Sequence, residues 1–270
     1  MPLAPCPDCK NECSLEATVC PRCGRPFKPG DLVEPAIRKV KLLAVFSVLV
    51  ILGALAMLIA GLLQFNPRKL SPEANDGFSA PVMALEFVQT PEQATAILGP
   101  DQAPNRRAMK TQIYIDFVWI ACYLALYLAI SYLLSRRACP RARYLALVAA
   151  VCGISAAAFD VKENLGMLHI VNHPEVTQSI LSGLHISDAA ITKWTLSVVT
   201  LALLAITFYG VHEKLDRIGK AFTIAAAVGF LGLWFKFLLG ALLPIPLLIG
   251  LVMLAYYAWV HPRLFLEQRC

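Results

Sequence analysis

The run of residues from Leu42 to Leu63 contains no charged side chain, and it constrains the fold more than any other feature. A helix needs about 20 apolar residues to cross the hydrocarbon core of a bilayer. Over 270 residues the chain is 58% hydrophobic and only 16% charged, whereas about a quarter of the residues of a soluble domain are charged. The sequence therefore predicts a multi-pass membrane protein in a lipid bilayer.

Further apolar segments follow, and they predict an all-α integral membrane bundle of about six transmembrane helices. Pro244 and Pro246 interrupt the last apolar stretch. We expect a tight turn there, because proline breaks the helical hydrogen-bond ladder. If that hairpin is re-entrant, five spans remain. The predicted spans are residues 42–63, 112–134, 144–165, 193–211, 221–243 and 244–260.

Basic residues predict the orientation of the spans, since lysine and arginine concentrate in short cytoplasmic loops. In a six-span bundle, the four main basic clusters all fall on one side of the membrane. We therefore expect both termini in the cytoplasm, and the net charge of +6 needs no nucleic acid to explain it. The remaining segments are an amino-terminal module at 1–30, a basic linker at 31–41, extracytoplasmic loops at 64–111 and 166–192, and a cytoplasmic tail at 261–270.

Four cysteines in the amino-terminal module have the spacing of a metal site. Cys6 and Cys9 form one Cys-x-x-Cys pair, and Cys20 and Cys23 form a second. Two such pairs offer four thiolates to a tetrahedral ion, which favours structural zinc over a catalytic metal. A cytosolic location disfavours disulfides, an iron–sulfur cluster is the other alternative, and Cys13 is left as a free thiol or a substitute ligand.

The module resembles the short bacterial zinc ribbon with two Cys-Pro-x-Cys-Gly knuckles. Gly24 supplies the glycine of the second knuckle, and Lys10 stands at the corresponding position of the first. The resemblance covers about a tenth of the chain. It implies folding stabilised by metal and a surface that docks a cytosolic protein partner.

Charged and polar side chains from several predicted spans meet at one depth, near the outer surface. The stretch AAAFDVKENLG at 156–166 closes the third span, and we expect its charges to line a pocket with residues of the neighbouring spans. Tyr123 shares a helical face with Asp116 at spacing i, i+7. The pocket residues predicted in this way are Asp116, Tyr123, Asp160, Glu163, Asn164, Lys193 and Lys236.

A simpler interpretation is that these helix ends are solvated. Glu163 fits it, and we expect this residue near the rim of the pocket. Asp116 and Lys236 lie deeper, where an unpaired charge costs about 3 kcal/mol or more. We therefore expect these groups to form salt bridges within the pocket.

Short motifs from Leu85 to Val211 resemble a family of bacterial multi-pass membrane proteins without an assigned activity. They are LEFVQTPEQATAIL, the IDF around Asp116, DVKEN at 160–164 and the lysine at 193. The resemblance implies that these polar residues belong to one site in a bacterial inner membrane. It implies nothing about what the site does.

The two outer loops offer weaker signals. Thr90, Pro91 and Gln93 have the pattern of a capping box, so an amphipathic helix should begin there. It lies either on the membrane over the pocket or on an ordinary surface. Three loop histidines, His169, His173 and His185, could bind a metal, but their irregular spacing favours ordinary loop residues.

Three classes of function remain compatible with this sequence. A binding, sensing or assembly protein needs only the ribbon and the pocket, and we favour it. A small-solute transporter needs a polar path across the membrane. An intramembrane, lipid-directed hydrolase would use Asp116 or Asp160 as a base.

Overall fold

The computed structural model describes residues 3–14, 16–28, 31–64, 81–99, 104–135, 140–173, 178–209, 211–235, 238 and 242–266. Helices dominate these residues, and they follow a small amino-terminal ribbon. The ribbon contains strand β1, Leu3–Pro5, which pairs antiparallel with β2, Glu12–Ser14, and a bridge between Val19 and Pro26.

Nine α-helices follow the ribbon in the described part of the chain. Most of them begin at a proline, which is favoured at the first helical position because it lacks the N–H group that has no partner there. The helices are α1 (Val33–Gln64), α2 (Pro81–Glu86), α3 (Pro91–Leu98), α4 (Pro104–Ser135), α5 (Pro140–Asn172), α6 (Gln178–Leu184), α7 (Ile186–Phe208), α8 (Glu213–Gly232) and α9 (Pro244–Val260).

Six of these helices form a closed ring around a central cavity. Each packs against the next in chain order, from α1 to α4, α5, α7, α8 and α9, and α9 packs back against α1. Small residues permit close approach between neighbours. A Cβ atom on Gly153 of α5 would lie 3.0 Å from the Tyr127 ring of α4, and one on Gly250 of α9 would lie 2.5 Å from the Phe222 ring of α8.

Four helical segments are long and apolar enough to cross a membrane. Side chains such as Leu52, Val118 and Leu147 on their outer faces are more than half exposed, as expected of surfaces that lipid covers. Two ring helices differ from the other four, because charges crowd the first half of α8 and α9 is a shorter apolar helix. The four candidate spans are Val33–Gly61, Pro104–Ser135, Pro140–Asn172 and Gln178–Phe208.

Several ring helices have bounds that differ from those of the predicted spans. The predicted third span ends at residue 165, whereas α5 continues to Asn172. The predicted fifth span covers 221–243, whereas α8 begins at Glu213 and ends at Gly232. Pro244 is the first residue of α9. Charged residues therefore do not mark the ends of these helices.

The predicted helix in the first outer loop is present as α3, and its capping box is confirmed. The Thr90 hydroxyl accepts a hydrogen bond from the backbone N–H of Gln93, and the Gln93 side chain accepts one from the backbone N–H of Thr90. Ala94, Ile97 and Leu98 of this helix are buried. They join the same apolar core as the ring, so α2 and α3 form a cap over one end of it.

Candidate functional site

Lys193 lies at the centre of a buried ionic cluster at the capped end of the ring. Its Nζ atom is 2.8 Å from Oε1 of Glu163, 3.1 Å from Oε2 of Glu86 and 3.2 Å from Oδ1 of Asp160. Only 6% of Lys193 is exposed. An isolated ammonium group at such a site would be costly, so the three carboxylates stabilise it. One side chain of α7 thus connects α2 and α5.

Two hydrogen bonds tie α4 to the same cluster. The Tyr123 hydroxyl donates to Oδ2 of Asp160 over 2.8 Å, and the Asn164 amide donates to Oδ2 of Asp116 over 2.6 Å. Asp116 and Asp160 line the same cavity. The structure thus brings together residues from three ring helices and one cap helix.

Glu86 belongs to this cluster, although the sequence reasoning did not select it. It ends the short helix α2, outside the membrane-spanning helices. Besides Lys193, its Oε2 atom accepts a hydrogen bond from the Trp194 indole over 3.1 Å. Burial raises the pKa of Glu86, and the charge of Lys193 opposes that effect. The available signal was its place in LEFVQ, at the start of the motifs that resemble one family.

For two of the predicted pocket residues, the outcome differs from that of the others. Glu163 was predicted at the rim, but it is fully buried against Lys193. The prediction was wrong because α5 continues to Asn172, which places Glu163 roughly two and a half turns before the helix end. Lys236 lies outside the described residues.

A cavity of about 410 Å³ extends from the ionic cluster into the ring. Its lining on α7 runs from Lys193 to Leu204, which is about 16 Å along the helix axis. Glu86, Asp116 and Asp160 also line it. The remaining lining is almost entirely apolar, with side chains that include Met57, Leu126, Ile130, Leu201, Phe222 and Leu251. The cavity is therefore charged at one end and apolar along its length.

Several buried acceptors at the charged end have no hydrogen-bond donor among the described residues. They include Oε1 of Gln112 and, apart from its ion pair with Lys193, Oδ1 of Asp160, and both of these side chains line the cavity. The cluster holds four carboxylates and one ammonium group, and three of the carboxylates contact the ammonium. Asp116 forms no salt bridge within the described chain, contrary to the prediction, and pairs with the neutral amide of Asn164. The site therefore has excess negative charge and unused acceptor atoms, which a cation or a proton would balance.

The three histidines predicted to be loop residues do not form a three-residue metal site in the described part of the chain, and His169 lies within α5 and not in a loop. The rings of His169 and His173 stack with centroids 4.2 Å apart, and His185 lies 3.0 Å from the exposed carboxylate of Asp188. Among the described residues, the single group of three or more candidate metal ligands is formed by cysteines.

The cysteine cluster has the geometry of a tetrahedral metal site. The Sγ atoms of Cys6, Cys9, Cys20 and Cys23 all lie within 4.8 Å of one another. Cys6 is 3.7 Å from Cys23, and Cys9 is 3.6 Å from Cys20. Sulfurs held at about 2.3 Å from one tetrahedral ion are about 3.8 Å apart. The four residues therefore fit a metal ion.

The two knuckles that hold these cysteines have the same backbone hydrogen bonds. Cys6 N–H donates to Asn11 O and Lys10 N–H to Cys6 O; likewise Cys20 N–H donates to Arg25 O and Gly24 N–H to Cys20 O. Lys10 and Gly24 both have positive φ, 61° and 72°. The first knuckle therefore has the same conformation as the second, although it has Lys10 where the second has Gly24.

Cys13 is a fifth sulfur beside this site, 3.7 Å from Cys20. Burial raises the pKa of its thiol to about 11, whereas a backbone hydrogen bond from Cys23 lowers the pKa of Cys20 to about 6. A backbone hydrogen bond from Arg25 lowers the pKa of Cys23, but desolvation and the neighbouring sulfurs outweigh it and raise that pKa to about 12. The crowded thiols thus differ in how readily they lose a proton.

Comparison of the chain with protein-family models, curated proteins and solved structures finds no match. The cysteine cluster and the cavity with its ionic end are therefore the two sites from which a function can be inferred.

Proposed function

We propose that this protein binds an amphipathic molecule from the bilayer and acts in binding or sensing. The cavity inside the helix ring carries this proposal, because it combines a charged end with an apolar remainder over a total length of about 16 Å along α7. Its volume of about 410 Å³ falls within the about 300–1,000 Å³ of small-molecule sites. A molecule with a polar head and one hydrocarbon chain matches both parts.

The amino-terminal ribbon gives this binding protein a second functional part. We propose that its four cysteines hold one structural zinc ion, since four thiolates leave no coordination position open for catalysis. The basic clusters support a cytoplasmic location for the ribbon and for both termini. There the ribbon is available to dock a protein partner.

A direct connection between ribbon and cavity favours sensing over simple storage. Leu32 is buried in the ribbon core, and α1 begins at the next residue. The same helix lines the cavity with Val50, Met57 and Leu58. A ligand that shifts α1 would therefore act on the helix that carries the ribbon.

Tryptophan fluorescence offers a direct test of binding in the cavity. Trp119 and Trp194 line the cavity, whereas Trp234 and Trp259 are more than half exposed. In a Trp234→Phe/Trp259→Phe chain, the remaining emission reports on the cavity. A maltoside surfactant with a brominated chain should quench that emission in a saturable manner.

Two substitutions on α7 provide the matched control. Ser197 lines the cavity and Val199 is exposed on the outer face. Ser197→Phe should fill the cavity and weaken quenching, and Val199→Phe should leave it unchanged. Equal quenching in both variants would place the bromine outside the ring and refute the proposed function.

A further inference from the structure

We infer that the cavity selects a ligand whose head group is a protonated primary amine, with no phosphate beside it. This inference rests on the proposed function and adds the chemistry of the head group. It follows from the charge, the hydrogen-bonding capacity and the aromatic surroundings of the ionic end.

The charge of the site favours a cation. Lys193 is the one cation within salt-bridge distance of Glu86, Asp160 and Glu163 among the described residues. Asp116 faces the cavity and pairs with the uncharged Asn164 amide. A positive head group near Asp116 would supply this carboxylate with a cation and reduce the excess of carboxylates in the cluster. A phosphate in the same place would meet carboxylates and raise the energy of the complex.

The unused acceptors favour a cation that donates hydrogen bonds. Oε1 of Gln112 and Oδ1 of Asp160 lack a hydrogen-bond donor within the described chain, and the two side chains are only 5% and 3% exposed. Asp160 already lies beside Lys193, whereas Gln112 has no such neighbour for its oxygen. A buried acceptor without a donor is costly. A primary ammonium group carries three donors and can satisfy these atoms, whereas a quaternary ammonium group has none.

Aromatic rings complete the surroundings of the head group. Trp119 and Tyr123 contact each other with ring centroids 5.2 Å apart, and Tyr127 follows at 5.5 Å from Tyr123. All three line the cavity. Aromatic faces attract any cation, including quaternary ammonium groups. The rings alone therefore do not select the amine, and the selection comes from the unused acceptors.

Three probes that share a 12-carbon chain separate these contributions. Dodecylamine, dodecyltrimethylammonium and dodecanol each compete with the brominated maltoside in the Trp234→Phe/Trp259→Phe chain. Dodecylamine should bind at least about tenfold more tightly than either of the other two, since a hydrogen bond to a charged group is worth about 1.5–3 kcal/mol. Tighter or equal binding of the trimethylammonium compound would overturn the inference in favour of an aromatic cation site.

Substitutions at the ionic end identify the residues that recognise the amine. Asp116→Asn and Gln112→Met should each weaken dodecylamine binding by about tenfold and leave dodecanol binding unchanged, which also shows that the variant is folded. Asp188→Asn, at an exposed site outside the cavity, is the control and should bind all three probes normally. Unchanged amine affinity in both variants would refute the inference.

The outcomes also distinguish the two proposals. If the brominated maltoside does not quench the cavity tryptophans at all, the proposed function fails. If it quenches them and the three probes compete equally, the cavity binds chains without regard to their heads, and only the head-group inference fails.

Discussion

Lys10 and Gly24 occupy the same position in the two knuckles of the ribbon, and both adopt a left-handed backbone conformation. Glycine enters this region without strain, whereas a residue with a Cβ atom is disfavoured there. The Lys10 ammonium donates to the Pro7 carbonyl over 2.8 Å within the same turn. One knuckle thus tolerates a side chain that the other lacks.

Gly24→Ala should destabilise the ribbon for a purely conformational reason. A Cβ atom at Gly24 would meet nothing within 4 Å, so the expected cost is the left-handed strain of about 1–2 kcal/mol. Metal affinity, measured by competition with a chromophoric chelator, should fall by about tenfold. Lys10→Gly is the reciprocal variant, and its affinity should stay the same or rise. An unchanged affinity for Gly24→Ala would contradict the role assigned to this glycine.

At the scale of elements, the ionic cluster fastens the cap helix α2 to the ring. Glu86 of α2 reaches Lys193 and Trp194 of α7, and Glu163 and Asp160 of α5 meet the same lysine. A single lysine therefore holds carboxylates from two elements that would otherwise repel each other.

Lys193→Met should destabilise the whole bundle and release α2 first. The substitution leaves three buried carboxylates without their cation, and breaking a buried ion pair costs about 3–5 kcal/mol. The midpoint temperature of thermal unfolding in detergent should fall strongly. The backbone amides of residues 81–86 should exchange their hydrogens faster. Lys110→Met is the control, because that ammonium donates an exposed hydrogen bond to the Asn172 side chain and its loss should cost under about 1 kcal/mol. Equal stability of the two variants would disprove the fastening role.

Some members of the ionic cluster could be predicted from the sequence, and others could not. Charges within apolar helices are costly, so Asp116, Asp160 and Lys193 could be selected from the sequence as members of one site. Glu86 could not be selected by that argument, because it lies outside the long apolar runs, where a glutamate is unremarkable. The depth of Glu163 was misjudged because helix ends were inferred from charge, whereas α5 continues past its charged residues to Asn172.

At the scale of the whole molecule, the ribbon and the bundle have separate apolar cores. The ribbon has a small core formed by cysteines and Leu32, too small to fold without metal by the usual standard of such modules. The bundle has one continuous apolar core that includes all ring helices and the cap. Loss of the metal should therefore unfold the ribbon and leave the bundle folded.

Cys20→Ser should remove the bound metal and leave the bundle intact. Elemental analysis of purified protein should find one zinc per chain before the substitution and none after it, with helical circular dichroism essentially unchanged. Cys122→Ser, in α4, and Cys13→Ser, beside the four ligands, are the controls and should both retain zinc. Metal retained in Cys20→Ser, or lost equally in Cys122→Ser, would exclude the four-cysteine site.

The closed ring of helices has a consequence for how the protein is made. Five of its six seams join helices that are close in chain order, but the seam between α1 and α9 joins the two ends of the bundle. A ribosome delivers α1 before α9, so the enclosure stays open along one side until α9 has been made. The contact of α9 with α1 then closes the ring. An amphipathic molecule that already lies between the helices is enclosed when α9 packs against α1.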